Sequence, residues 1–411
     1  MKQSELIPHL FRTEYSKIIA VLCNRFGIDY IEVAEDIVSD TFLTAAELWG
    51  MKGVPENPTA WLYTVAKNKT RNYLKRHNLF EKKIAPDLKT RPADTGADID
   101  LSVTAIADSQ LAMIFTVCHP SVSIEAQIAL ALNLLCGFSV QEIADAFLTN
   151  KETVYKRLKR AKEKLREENI LIVPPSAQMA ENRLETVLTA LYLLFNEGYY
   201  SVSGQHPLKK ECCTEAMRLC CILLENPLTA TPAARALLAL MCFHASRFEA
   251  RINQKGENIL YEDQDTRLWN KDLIEKGLFY LQQAATGNSI SKFHLEAGIA
   301  YWHTHPEDTR EKWEAILQLY NKLLMLEYSP IAALNRTYAL AKANGTEEAI
   351  VEAEKLNLTD SHFYFVLLGT LYSSKDPAKA TGLFHTALQT AKSESDKQLI
   401  QKKLDELKDK Q

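Results

Sequence analysis

The stretch GFSVQEIADAFLTNKETVYKRLKRAKEKLR, residues 137–166, decides how the rest of the chain is read. Ser139 with Glu142 three residues on makes a capping-box start, and Val140, Ile143 and Ala144 follow at helical spacing, which predicts a short helix. Phe147-Leu148-Thr149-Asn150 turns the chain, and either Thr149 or Asn150 can cap a second helix whose apolar positions are Val154, Leu158, Ala161 and Leu165. That spacing leaves one dry face. The remainder of the helix carries eight Lys and Arg against two Glu between residues 151 and 166. A helix-turn-helix of this kind can put the start of its second helix in a major groove, where early residues read base edges and later cations hold phosphates. Lys151, Glu152, Thr153, Lys156 and Arg157 are the base-reading candidates, and Lys159 and Arg160 continue the same DNA-facing set.

Upstream, apolar residues from Leu6 to Phe26 recur at helical intervals and stop at Gly27. A second helix is predicted from Tyr30 to Trp49, with an acidic surface of Glu32, Glu35, Asp36, Asp40 and Glu47 and an aromatic edge of Phe42 and Trp49. Such a face suits docking on a basic protein surface; a solvated helix side is the competing reading. After Gly53 a third helix restarts with Asn57 as N-cap and Pro58 in its first turn. Lys67, Arg71 and Lys75 share one face of it, Lys69 and Arg76 lie on a neighbouring stripe, and Trp61, Tyr63, Asn68, Asn72 and Tyr73 interleave with them. Cations beside aromatic and amide groups suit the backbone and unstacked bases of single-stranded DNA, although Trp61 or Tyr73 can equally be core. Residues 67–91 hold nine basic and two acidic residues, whereas 94–108 hold four Asp and no base. Two cationic segments flanking an acidic linker point to two separate DNA contacts.

The chain has 411 residues, 46% hydrophobic and 24% charged, with a net charge of −4, which is ordinary for a globular protein of two or three domains. No apolar run reaches membrane-span length and the N-terminus MKQSELIPHLFRTEY lacks a signal-peptide core, so the cytoplasm is the expected location. Eight cysteines occur without C-x-x-C spacing, and the pairs Cys212-Cys213 and Cys220-Cys221 read as reduced core thiols. His303 and His305, near Glu307 and Asp308, stand two residues apart and so point to different sides of a helix; no metal is expected there. No phosphate-cradling Gly loop, G-x-S-x-G or H-E-x-x-H set occurs, so neither a cofactor nor catalysis by this chain is expected.

The prolines of LIVPPS, residues 171–176, mark a boundary. Beyond it the periodicity is helical almost throughout, in apolar blocks at 184–195, 216–224, 233–245, 272–284, 293–302, 313–326, 331–343, 347–356, 362–372 and 378–391. Gly369, Tyr372, Ala380, Phe384 and Ala387 follow the small-and-aromatic pattern of a tetratricopeptide repeat, with a weaker copy from Asn335 and Tyr338. Glu197 and the cluster Glu262, Asp263, Gln264, Asp265 and Arg267 are either a ligand site or, ranked first, caps and regulatory interdomain contacts.

An acidic docking helix, an aromatic and basic helix, an acidic linker and a basic helix-turn-helix, in this order, resemble the extracytoplasmic-function (ECF) sigma factors of bacterial RNA polymerase. AEDIVSDTFLTAAELW (34–49) is similar to the helix by which that family docks on the largest polymerase subunit, NPTAWLYTVAKNKTRNYLKR (57–76) to its −10 segment, and residues 137–165 to its −35 reader. FNEGYY (195–200), LYEDQDTRLW (260–269) and SPIAALNR (329–336) resemble the tetratricopeptide-like extension of one subgroup, whose members are commonly encoded beside small YCII-related proteins. The resemblance implies an all-α chain with region 2 at 1–85, a linker at 86–110, region 4 at 111–172 and a C-terminal regulatory domain at 177–411. It implies core polymerase and promoter DNA as partners, with a YCII-related small protein or another protein or peptide on the C-terminal domain, and no membrane. Asp36, Asp40, Phe42, Glu47 and Trp49 would dock on polymerase; Trp61, Tyr63, Lys67, Asn68, Arg71, Asn72, Lys75 and Arg76 would hold the opened −10 strand. The alternative is a helix-turn-helix regulator with a tetratricopeptide-like sensing domain that never joins polymerase; the acidic face at 32–47, which such a regulator does not need, favours the sigma factor.

Overall fold

Local capping sets where the helices begin. In the computed structural model, which describes residues 3–84, 99–147, 149–199, 207–251, 259–287 and 289–408, every regular element is helical. Leu148, Tyr200 and residues 86–98 of the expected linker lie outside these ranges. Helix α1 (Gln3–Phe26) ends before Gly27, α2 spans Ile31–Lys52, and α3 (Pro58–Ile84) starts where the Asn57 side chain accepts the Ala60 N–H at 3.0 Å. Helix α4 (Val103–Val117) is capped by Ser102 and begins inside the stretch read as linker. Helix α5 (Ile124–Leu130) runs into a π-turn over Ala131–Leu135. The capping box before α6 (Val140–Ala146) is complete: the Glu142 N–H donates to Ser139 Oγ at 3.2 Å and the Ser139 N–H to Glu142 Oε2 at 2.7 Å. Of the two candidate caps for α7 (Lys151–Glu167), Asn150 serves, accepting the Thr153 N–H at 2.8 Å.

The chain divides into two compact units. The first comprises Met1–Gly198 and Lys210–Thr229 and is organised around α1, which packs on α2 and α3 and also on α4 and the π-turn. Ile18, Ile19 and Leu22 are buried to 1% exposure or less at that junction, so the N-terminal three helices and the helix-turn-helix share one core. Helices α8 (Ala177–Tyr199) and α9 (Pro207–Glu225) contribute to the same unit. Arg183 on α8 donates to the Phe115 carbonyl and lies 5.8 Å over that ring, and Arg218 on α9 donates to the Leu135 carbonyl at 2.7 Å. The first unit thus takes in the first two helices of the stretch assigned from sequence to a separate C-terminal domain.

The second unit, Tyr199–Lys209 and Ala230–Gln411, stacks consecutive helices α10 (Pro232–Ala245), α11 (Lys271–Ala284), α12 (Lys292–Trp302), α13 (Arg310–Leu326), α14 (Pro330–Asn344), α15 (Thr346–Leu356), α16 (His362–Tyr372), α17 (Pro377–Thr390) and α18 (Glu394–Lys408). The pairing device is a glycine under an aromatic ring. A Cβ on Gly369 of α16 would stand 2.8 Å from the Phe384 ring of α17, and one on Gly277 of α11 would stand 2.7 Å from the Phe243 ring of α10. Only hydrogen fits between helix and ring, so both helix pairs close tightly, as the tetratricopeptide-like pattern requires. None of the cysteines forms a disulfide and all but Cys221 are buried, as expected of core thiols; burial pushes Cys118 and Cys212 up to about 12. No helix among the described residues is long and apolar enough to cross a membrane.

Candidate nucleic-acid interface

Helix α7 presents two different basic faces. Val154, Leu158, Ala161 and Leu165 are buried against the rest of the unit, as their spacing predicts. Lys151, Glu152, Thr153, Lys156, Lys159 and Arg160 are exposed and Arg157 is half-exposed, so all seven −35 candidates lie on the open side. Lys156 pairs only locally, with Glu152 at 2.7 Å, an i,i+4 contact between two exposed side chains that a phosphate can displace.

Lys162 and Arg166 behave differently from what the charge pattern suggests. Lys162 is 7% exposed and its ammonium lies 2.7 Å from the Glu35 carboxylate of α2, while Arg166 donates to Glu32 one turn earlier on α2. Burial pushes the Glu32 carboxyl up, but the Arg166 hydrogen bond, a backbone hydrogen bond and the charges of Arg166 and Lys162 together outweigh it, and the group is held below its usual range. These two cations hold the helix-turn-helix to α2 and are unavailable to DNA. A second tie joins α1 to α6: Arg12 donates to Glu142 at 2.6 Å and lies 4.5 Å over the Phe138 ring.

On α2 the expected docking set splits. Asp36 and Glu47 are exposed, and Asp40 is exposed but paired with Lys69 of α3. Phe42 and Trp49 face inward, at 5% and 3% exposure, against Phe11 and Trp61 at ring separations of 5.0 and 5.3 Å. The aromatic edge predicted for docking is therefore core, because the apolar stripe of α2 must cover α1 and α3. The apolar groups that do face outward are Leu43 and Met51, at 58% and 75% exposure, which align with Asp36, Asp40 and Glu47 at helical spacing.

On α3, Asn68, Arg71, Asn72, Lys75 and Arg76 are exposed and Lys67 half-buried. Trp61 is half-buried against Trp49, and Tyr63 is committed to the protein, its hydroxyl donating to Glu14 at 2.5 Å. Burial and that hydrogen bond both raise the Tyr63 pKa, so it stays a neutral donor. A groove of about 520 Å³ lies beside α3 between Lys67 and Asp100, the latter within the acidic linker. Thus α3 offers an open row of cations and amides, with its aromatics turned to the core.

Of the residues assigned to a regulatory contact, Glu197 is exposed on α8 in the first unit and the others belong to the second. Glu262 accepts from the Tyr338 hydroxyl at 2.7 Å and Asp263 pairs with Lys402 at 2.8 Å. Asp265 caps the short turn after it, accepting the Arg267 N–H at 3.0 Å and pairing with the Arg267 guanidinium. His305 turns its Nδ1 to the Tyr301 carbonyl at 3.1 Å while His303 packs between aromatic rings, and no cluster of metal ligands occurs among the described residues.

Comparison with known proteins agrees with this geometry. Residues 10–79 match sigma-70 region 2 and residues 113–165 match sigma-70 region 4. Residues 183–285 match a family of unknown function, DUF6596, which spans α8 to α11. An uncharacterized protein of Rhizobium meliloti (strain 1021) is 32% identical over 385 residues, covering 92% of this chain and 90% of that protein. The crystal structure of yeast Tom70 superposes with a TM-score of 0.33 at 12% identity, covering 97% of this chain and 83% of that one, a likeness too slight to carry an argument. With the ordered region 2 and region 4 matches and a relative spanning almost the whole length, the chain belongs to the sigma-70 family, as an ECF-type sigma factor for promoter recognition with a C-terminal helical extension.

Proposed function

We propose that the chain joins bacterial core RNA polymerase through α2, holds the opened −10 strand along α3 and reads −35 DNA with α7. The observation that carries this reading is the pair of open cationic rows, Arg71, Lys75 and Arg76 on α3 and Lys151 to Arg160 on α7, beside an α2 stripe that stays uncovered. Glu32 and Glu35 are taken by α7, so docking uses the neighbouring stripe of Asp36, Leu43, Glu47 and Met51. Exposed apolar groups ringed by acids make a compact hot spot for a basic partner. Strand opening needs no hydrolysis here: the capture of bases and polymerase contacts offsets the few kcal/mol per unstacked step.

Capture of purified core polymerase by the full chain, followed by transcription from the chain's own upstream DNA, tests the reading. A folded chain that captures no polymerase would leave the helix-turn-helix regulator as the better account. Asp36→Lys with Glu47→Lys is expected to weaken polymerase binding by about tenfold or more while leaving the helical signal unchanged. Lys156→Ala with Arg157→Ala is expected to reduce promoter binding and to flatten its logarithmic salt dependence by about 0.9 per lost phosphate contact. An unchanged slope in a titration against salt would mean that α7 does not face phosphate.

The C-terminal helices belong to the same proposal as an element required for engagement, because α8 and α9 complete the core on which region 4 rests.

A further inference from the structure

The second unit contains two buried cations with no counter-ion among the described residues. Arg247 and Lys312 are 8% and 2% exposed, and among the described residues no carboxylate oxygen lies within 4.0 Å of either. Lys312 donates to two neutral acceptors, the Tyr261 hydroxyl at 2.9 Å and the His305 carbonyl at 2.6 Å. Among the described residues the Arg247 guanidinium hydrogen-bonds only the Tyr199 hydroxyl, at 3.5 Å, and its Nε has no hydrogen-bond partner. Both cations approach the same ring, at 5.2 and 5.1 Å from the centre of Tyr261. The acids of this neighbourhood keep their water: Glu262 and Glu307 are exposed, and Asp308, with its side chain 61% exposed, is already engaged by Lys342 and the Trp313 indole, so that Glu262 and Asp308 line the adjoining cleft from its solvent side. Water screens those rim carboxylates, so they compensate the buried charges weakly. His303, packed edge-on against Tyr261, registers the excess: burial, and then Arg247 and Lys312, push it down to about 3, and it stays neutral.

Lys312 lines an open cleft of about 330 Å³ with the buried Trp269 and Trp313 and the more exposed Lys342, Glu262 and Asp308, while Arg247 is outside the lining and approaches it only through the Tyr261 ring. The volume is at the lower end of the range for small-molecule sites, and a largely aromatic floor with a few placed charges is their usual composition. Burial of an uncompensated cation is strongly unfavourable unless an anion joins it. We infer that this cleft binds a small organic anion, a carboxylate or phosphate on a planar apolar group, with the anionic group on Lys312 and Lys342 and the flat group against the indoles. The ligand would complete the charge balance of the extension, giving the second unit a sensory site. Binding is independent of whether the chain joins polymerase, so failure of one reading leaves the other standing.

Titration of the full chain at low ionic strength with phenyl phosphate, benzoate and benzyl alcohol, followed by tryptophan fluorescence and by melting temperature against matched chloride, tests the site. Saturable binding of one anion at least about tenfold tighter than benzyl alcohol is expected, and the tighter of the two anions identifies phosphate or carboxylate as the natural group. Lys312→Met is expected to lose about tenfold or more in that affinity, and Lys342→Gln, at the solvent-facing rim where folding is not at stake, a few-fold. No saturable binding of either anion up to about 10 mM, or affinity unchanged in Lys342→Gln and in a folded Lys312→Met, overturns the inference.

Discussion

Replacing Glu35 by Gln is expected to destabilise the first unit by about 3 kcal/mol, the low end for breaking a buried ion pair, since the Glu35 side chain keeps 19% of its surface. The loss comes from Lys162, which remains 7% exposed and loses its one carboxylate partner among the described residues. Lys162→Met in the same chain should restore most of the loss, because the long apolar stem is already packed and the uncompensated charge is gone. By contrast, Glu32→Gln should cost at most about 1 kcal/mol, because the Glu32 side chain is half in water. Urea unfolding, with amide exchange read over α2 and α7, separates these outcomes. Equal effects of Glu35→Gln and Glu32→Gln would mean that the α2–α7 joint is a surface contact. The same joint makes a functional distinction: Lys162→Met should leave the salt slope of promoter binding unchanged, whereas the Lys156 and Arg157 pair should lower it.

Truncation is expected to depend on where the cut falls. Residues 1–173 lack α8 and α9, and with them Leu188, Leu191, Phe195, Cys213 and Leu219, all at 2% exposure or less in the intact chain. Burial of each large apolar side chain contributes about 1.5–3 kcal/mol, so together they approach the 5–15 kcal/mol by which a whole domain is stable. The Phe115 and Leu135 carbonyls would also lose Arg183 and Arg218. The fragment 1–173 should therefore aggregate or expose apolar surface and fail in promoter-dependent transcription. A cut after residue 229, at the boundary between compact units, should leave a cooperatively folded protein. Dye binding, circular dichroism and transcription by the two fragments check this. Transcription by 1–173 equal to that of the full chain would show that α8 and α9 are dispensable, and with them the proposed role of the extension.

Much of the fold follows from short-range chemistry. The Ser139–Glu142 box, the Asn57 and Asn150 caps and the apolar stripe of α7 each involve residues within a few turns of one another, so the helix-turn-helix and the exposed row Lys151–Arg160 are readable from order alone. The same holds for Gly369 and Phe384, whose pairing across one tight turn follows the repeat pattern. What the order of residues left open are the choices between chemically equivalent faces. Lys162 is as basic as Lys156, yet one is closed against Glu35, 127 residues away, and the other faces solvent. By residue type Phe42 and Trp49 suit docking as well as Leu43 and Met51 do, but α1 and α3 cover one stripe of α2 and leave the other open. Likewise the Pro174-Pro175 joint stops a helix without deciding which core the next helix joins, and α8 and α9 join the first. Helix periodicity and capping are set by neighbours in the chain and so are written in the sequence. Which face of a helix is buried, which charges lose their water and which cations find no partner depend on elements brought together from far along the chain, and only the tertiary structure decides them.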